Sequence, residues 1–135
     1  MINILLLEDD ELDVIDIKRS LDKINIFYHL QVVKNGEQAL EILNGDNFIP
    51  DFTLIDLNMP KMNGLEFLSA LRQDERLKDL KCFIITTSDD KGERETAARL
   101  GVSGYIIKPL KMNSPSSIDS FNLMIDLLNM KVASV

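Results

Sequence analysis

Four places in this 135-residue chain carry residue types that could do chemistry. They are the acidic run Glu8-Asp9-Asp10, an isolated Asp56, the hydroxyl run Thr86-Thr87-Ser88, and Lys108 ahead of Pro109. Each follows a short apolar run: Ile4–Leu7, Phe52–Ile55, Cys82–Ile85 and Tyr105–Ile107. If Glu8, Asp9 and Asp56 converge, each like-charge pair at about 4 Å costs on the order of 4 kcal/mol at an effective dielectric of about 20. Lys108 alone cannot offset that. A hard divalent cation with oxygen ligands can, and two or three carboxylates with room left for water is the Mg²⁺ pattern rather than a dedicated Ca²⁺ cage. A carboxylate beside such an ion, a hydroxyl and a lysine suits the acceptance of a phosphoryl group. The cation and the ammonium would neutralise the phosphoryl oxygens, and the hydroxyl would donate a hydrogen bond to them.

Taken singly, each group has an ordinary structural reading. Acidic residues after the first run complement the positive end of a helix, Asp56 can be a turn residue ahead of Pro60, Thr86 a strand-end hydroxyl and Lys108 a surface charge. Their joint occurrence points to a site, and that depends on the elements that position them. The four runs and a fifth, Leu30–Val33, are nearly continuous rather than alternating, as expected of strands buried on both faces of a parallel sheet. Helical periods lie between them. Val14, Ile17, Leu21 and Ile24 share one helix face; Ala39, Leu40 and Leu43 mark a second helix. Leu65, Leu68 and Leu71 mark a third after an Asn63-Gly64 turn, and Ala97 with Leu100 a short fourth. Ile118, Phe121, Ile125 and Leu128 form the predicted buried stripe of a fifth.

This (βα)5 order predicts an α/β fold with right-handed crossovers and helices on both faces of the sheet. Five strands with this spacing fit the flavodoxin-like, doubly wound order 2-1-3-4-5. In that order strands 1, 3, 4 and 5 are neighbours, their ends meet at one edge, and the crevice opens between strands 1 and 3. Strand 2 is the outer strand, so Lys34-Asn35 is left out of the site. His29, the single histidine, reads as a surface or hinge residue.

The composition bounds the function. A net charge of −7 with scattered basic residues argues against nucleic-acid binding, which needs a basic stripe. Cys82 is the single cysteine, flanked by apolar residues, and reads as a buried thiol in a reducing compartment. No signal peptide or membrane-length apolar run is evident, so a cytoplasmic protein is expected, with no membrane partner. Residues 1–135 read as a single domain without room for an output domain, with Ser114–Ser117 as the entry to the last helix.

At the level of motifs, the chain resembles bacterial two-component response-regulator receiver domains, among them the chemotaxis regulators. Ile4-Leu5-Leu6-Leu7-Glu8-Asp9-Asp10 resembles the first-strand motif, and Asp56-Leu57-Asn58-Met59-Pro60-Lys61-Met62-Asn63-Gly64-Leu65 the phosphoacceptor motif. Thr86–Asp90 and Gly101–Pro109 supply the rest. The resemblance runs from Ile2 to about Met130 and is strongest to short stand-alone regulators, some of which serve phytochrome kinases. It implies that Asp56 is the phosphoacceptor in a Mg²⁺-dependent transfer from a sensor histidine kinase or histidine phosphotransfer protein. It further implies that Asp9 binds the ion directly, Glu8 through water, and the Asn58 carbonyl as a further ligand. Thr86 and Tyr105 would follow the phosphoryl group, Lys108 would pair with it, and the bond to Pro109 would be cis. Glu8 stands where the chemotaxis proteins have Asp, and Thr87 where Ala is frequent. Asp90-Lys91-Gly92, poor helix formers, suggest a mobile segment after strand 4.

A flavin-binding flavodoxin would need a Gly- and hydroxyl-rich loop where this chain has Glu8–Glu11. A haloacid-dehalogenase-type phosphatase would need a D-x-D pair there. A phosphorylation-independent pseudo-receiver would have lost acidic or lysine positions, and none is lost. The surplus of apolar residues on the last helix, with Leu123, Leu127 and Met130 off the predicted stripe, suggests a homodimer or partner face built from helix 4, strand 5 and helix 5.

Overall fold

The computed structural model describes residues 1–45, 49–111 and 117–133. Five strands alternate with five helices: β1 (Ile2–Leu7), α1 (Glu11–Asp22), β2 (Tyr28–Val33), α2 (Gly36–Asn44), β3 (Phe52–Ile55), α3 (Gly64–Gln73), β4 (Cys82–Thr86), α4 (Lys91–Arg99), β5 (Gly104–Ile107) and α5 (Ile118–Ala133). The strands form one sheet of order β2-β1-β3-β4-β5, and every pairing is parallel. This is the doubly wound flavodoxin-like order. The residues 112–116, which include most of the expected helix entry, lie outside the described residues.

The continuous apolar strands serve two cores at once. On one face, Leu5, Leu7, Ile55, Cys82 and Ile84 pack with Ala39, Leu43, Phe67, Leu68 and Leu71 from α2 and α3 and with Ala97 from α4. On the other, Ile4, Leu6, Leu54, Phe83 and Ile85 pack with Ile17 and Leu21 from α1 and with Leu123 and Leu127 from α5. Alternate side chains of a strand point to opposite faces, so a strand with helices on both sides is expected to be apolar on both.

Side-chain caps stop the helices where the sequence turns polar. Asp10 accepts the amides of Leu12 and Asp13 to open α1, and Asn35 accepts that of Gln38 to open α2. Asn63 and Glu66 form a reciprocal capping box at α3, so Asn63-Gly64 is a helix start rather than a free turn. Asp90 caps α4 by accepting the Glu93 amide. That cap lets Gly92, a weak helix former, enter the helix as its second residue.

The predicted orientation of α5 is wrong. Leu123 and Leu127 are fully buried, whereas Ile118, Phe121 and Ile125 are 72%, 45% and 36% exposed, and only Leu128 of the expected stripe packs on the core. The helix is apolar on most sides, so its projection does not choose a face. Polar anchors choose it instead. The Tyr105 amide, on the outer edge of β5, donates to the Asp119 carboxylate at 2.9 Å, and Asp126 pairs with Lys81 at 2.9 Å. These two ties turn Leu123 and Leu127 inward. Leu127→Ala should therefore cost about 2–5 kcal/mol, and Ile125→Ala under about 1 kcal/mol, as read from urea unfolding midpoints.

Candidate functional site

The sheet ladder runs one residue past the ends of β1, β3 and β5, and those residues are the ones of interest. The Glu8 amide donates to the Val33 carbonyl at 2.9 Å, that of Asp56 to Leu7 at 3.0 Å, and that of Lys108 to Thr86 at 2.8 Å. Each backbone is thus held in strand register while its side chain leaves the core. Glu8, Asp56 and Thr86 are buried, at 1%, 6% and 0% exposure, and Asp9 is exposed.

Glu8, Asp9 and Asp56 each offer a carboxylate oxygen to one point, all within 4.8 Å of one another. An octahedral shell at 2.0–2.1 Å spans about 4.2 Å, so this donor set fits a small hard cation, with open positions on the exposed Asp9 side. The Asn58 amide donates to an Asp56 oxygen at 3.4 Å, which turns the loop after β3 back over that carboxylate. The loop is tightly seated. A Cβ at Gly64 would come within 2.4 Å of the Asp56 carbonyl oxygen, a backbone atom that cannot yield cheaply.

Lys108 supplies the counter-charge. Its Nζ lies 2.5 Å from Glu8, 2.8 Å from Asp13 and 3.5 Å from Asp56. The Lys108–Pro109 bond is cis. Sequence reasoning missed Asp13. An acid in the first turn of a helix ordinarily complements the helix dipole, and nothing in its spacing betrays a partner 95 residues away. Lys34, set aside as belonging to the outer strand, also reaches the site's flank. It pairs with Glu11 at 3.7 Å and lines, with Glu8, Asp9, Val14, Ile15 and Val32, a depression of about 310 Å³.

Burial pushes the Glu8 carboxyl up to about 7, with the Asp56 charge adding to it and Lys108 opposing it. The Lys108 ammonium is driven firmly toward its charged form: burial works against that, but Asp13, Glu8 and Asp56 outweigh it. Three carboxylates around one ammonium leave excess negative charge, so the cluster readily takes up a proton in the absence of a cation.

The hydroxyl side is arranged differently from the ion-pair side. Thr86 Oγ1 accepts the Ser88 amide at 3.3 Å. The Tyr105 hydroxyl donates to the Ser88 carbonyl at 2.8 Å, and the Arg94 guanidinium lies over its ring, 4.8 Å from the centroid. Thr86 and Tyr105 therefore meet at one residue, Ser88, on the segment between β4 and α4. Ser88 Oγ in turn donates to Glu93.

Other candidates stand apart from this edge. His29 is exposed on β2, opposite Asn3. Cys82 is buried, donates its Sγ–H to the Leu80 carbonyl at 3.4 Å, and is pushed up to about 11 by burial. A larger hollow of about 540 Å³ lies where the strands begin, lined by Arg72, Lys78, Lys81 and Arg99 among others. Its cations already have partners: Arg72 donates to four main-chain carbonyls, Lys78 pairs with Glu75, Lys81 with Asp126, and Arg99 donates to Thr96.

Comparison with known proteins gives a consistent picture. The family model for the response regulator receiver domain matches residues 4–115. The chemotaxis protein CheY of Pseudomonas aeruginosa is 43% identical over 75 residues, covering 56% of this chain and 59% of that protein, so the match spans about three fifths of the relative's length. Among solved structures, a two-component response regulator from Legionella pneumophila superposes with a TM-score of 0.80 at 34% identity, over 96% of this chain and all of that one. The Mn²⁺-bound form of response regulator Rcp1 gives 0.77 at 26% identity, over 100% of this chain and 97% of that one. Bacteriophytochrome response regulators are also among the structural neighbours. Among the described residues, no helix is long and apolar enough to cross a membrane.

The raised Glu8 fixes the sign of a pH effect. In the cation-free protein the folded state holds a proton that the unfolded chain releases near 4.5, so stability from this group is present below that value and is lost as pH rises toward 7. Between pH 5 and 7, wild type should lose stability relative to Glu8→Gln with a slope of up to about 1.4 kcal/mol per pH unit. Urea titrations in chelator at several pH values measure that difference; parallel curves would contradict it.

Proposed function

We propose, from the premise that the chain belongs to the response regulator receiver domain family of two-component signalling, that it accepts a phosphoryl group on Asp56 from a histidine-phosphorylated kinase or phosphotransfer protein. One observation carries the proposal: Asp56 is the buried strand-end carboxylate that faces both the acidic pair Glu8–Asp9 and the Lys108 ammonium. We read residues 1–135 as one receiver unit that works in the cytoplasm, and the chemistry as follows.

Glu8, Asp9 and Asp56, with the Asn58 carbonyl, would hold Mg²⁺, the ion class to which this donor set is suited; the neighbour Rcp1 has been solved with Mn²⁺. When bound, the ion supplies charge neutralisation for phosphoryl oxygens. An Asp56 oxygen attacks phosphorus, the phosphorus–nitrogen bond of the donor breaks, and the imidazole leaves with that electron pair. Lys108 pairs with the new phosphoryl oxygens. Thr86 turns its hydroxyl toward them, giving up the Ser88 amide, and Tyr105 follows because it shares Ser88 as a partner. The altered α4–β5–α5 face then docks an output partner or a second copy of the chain. On α5, the exposed apolar side chains Ile118, Phe121 and Ile125 would be available to such a partner.

Intact-mass measurement after acetyl phosphate treatment should show one phosphoryl adduct in wild type, dependent on Mg²⁺, and none in Asp56→Asn. An adduct of equal yield in that variant would remove Asp56 from its role. Mg²⁺ at a hundred times its dissociation constant should stabilise wild type by about 2.7 kcal/mol, and Asp9→Ala should abolish the rise in melting temperature. Thr86→Ala should still take up the phosphoryl group, yet show little change in hydrogen exchange across α4 and β5; a wild-type response there would reject the Thr86 relay.

A further inference from the structure

Asp13 makes a close contact with Lys108 for which the phosphoacceptor chemistry has no use. It lies outside the three carboxylates whose oxygens converge for a cation. Its carboxylate is nevertheless 2.8 Å from Lys108 Nζ, nearer than the 3.5 Å to Asp56. The contact is not that of a solvated surface acid. Lys108 is only 10% exposed and Asp13 32%, whereas the neighbouring first-turn acid Glu11 pairs loosely with Lys34 at 3.7 Å, with both side chains mostly in solvent. The Asp13 backbone is fixed as well, since its amide donates to the cap Asp10 at 3.4 Å.

We infer that Asp13 is a positioning residue that competes with the phosphoryl group on Asp56 for the Lys108 ammonium. The inference rests on the reading of Asp56 as phosphoacceptor. An ammonium has three donors and can be shared, and in the cation-free cluster Glu8, Asp13 and Asp56 share it. A cation held by Glu8, Asp9 and Asp56 draws on the Glu8 charge, which leaves Asp13 as the nearest carboxylate committed to Lys108 alone. To reach oxygens that lie beyond the Asp56 carboxylate, already the farthest of its three partners at 3.5 Å, Nζ would lengthen its closer contact with Asp13. The strength of that contact therefore sets how far the lysine commits to the phosphorylated state, and it ties the first turn of α1 to the occupancy of Asp56.

Beryllofluoride with Mg²⁺, a phosphoryl mimic, tests this by titration of the intact chain. Asp13→Asn keeps the shape but removes the competing charge, and should bind the mimic about three- to fivefold more tightly than wild type, the range that a partly exposed ion pair supports. Asp13→Glu, which restores the charge, should return affinity toward the wild-type value. The gain should vanish when Asp13→Asn is combined with Lys108→Met, because the effect passes through the ammonium. An unchanged or weaker affinity in Asp13→Asn, or an equal gain with and without Lys108, overturns the role of Asp13 while leaving Asp56 in place. Failure of wild type to bind the mimic overturns both.

Discussion

A single ammonium at the end of one strand sits where two other strand ends and the first turn of a helix bring their carboxylates together, and this edge of the sheet is organised around it. Lys108 arrives on β5, Glu8 on β1, Asp56 on β3 and Asp13 on α1. Removing that ammonium would leave buried carboxylates without their counter-charge, at a typical cost of about 3–5 kcal/mol. The sheet order is what makes the meeting possible: β1, β3, β4 and β5 are adjacent, and ladder hydrogen bonds continue one residue beyond the strand ends. Excess negative charge persists even so. The raised Glu8 records it, and a cation would relieve it.

The fold was legible because its inner strands, covered on both faces, are apolar at nearly every position. Five such runs, with helical periods between them and polar caps at Asp10, Asn35, Asn63 and Asp90, admit few other arrangements. The orientation of α5 was not legible. Ile118, Phe121, Leu123, Met124, Ile125, Leu127, Leu128 and Met130 surround the helix, so hydrophobicity alone could not say which side turns inward. The decision belongs to Asp119 and Asp126, which fasten the helix to the Tyr105 amide and to Lys81. A polar residue that caps a sheet edge gives no sequence signal distinct from one that faces water.

Much of the candidate site was visible for the same reason as the fold: Glu8, Asp9, Asp56, Thr86 and Lys108 each follow an apolar run. What lay hidden were contacts made by residues with a plausible local role. Asp13 resembled an ordinary helix-start acid, Lys34 belonged to the outer strand, and Ser88 was one of three consecutive hydroxyls. Only the three-dimensional arrangement shows Ser88 as the residue where Thr86 and Tyr105 meet. Sequence spacing identifies which elements end near one another. It does not report the lateral reach of a side chain from a neighbouring helix.

At the opposite end of the sheet, Arg72 has a mechanical consequence. From α3 its guanidinium donates to the carbonyls of Leu100 and Gly101, just past α4, and to those of Lys78 and Leu80, just before β4. Hydrogen bonds from a charged donor contribute about 1.5–3 kcal/mol each, so this end of α4 is pinned to its neighbours. The other end, from Asp90, is held by side chains alone: its cap, the Arg94–Asp89 pair, Ser88 on Glu93 and Arg94 over the Tyr105 ring. With its last turn tied to main-chain carbonyls through Arg72, α4 has its more adaptable, side-chain contacts at the Ser88 end, so a shift at Ser88 would act on the first turn of α4 more than on its last.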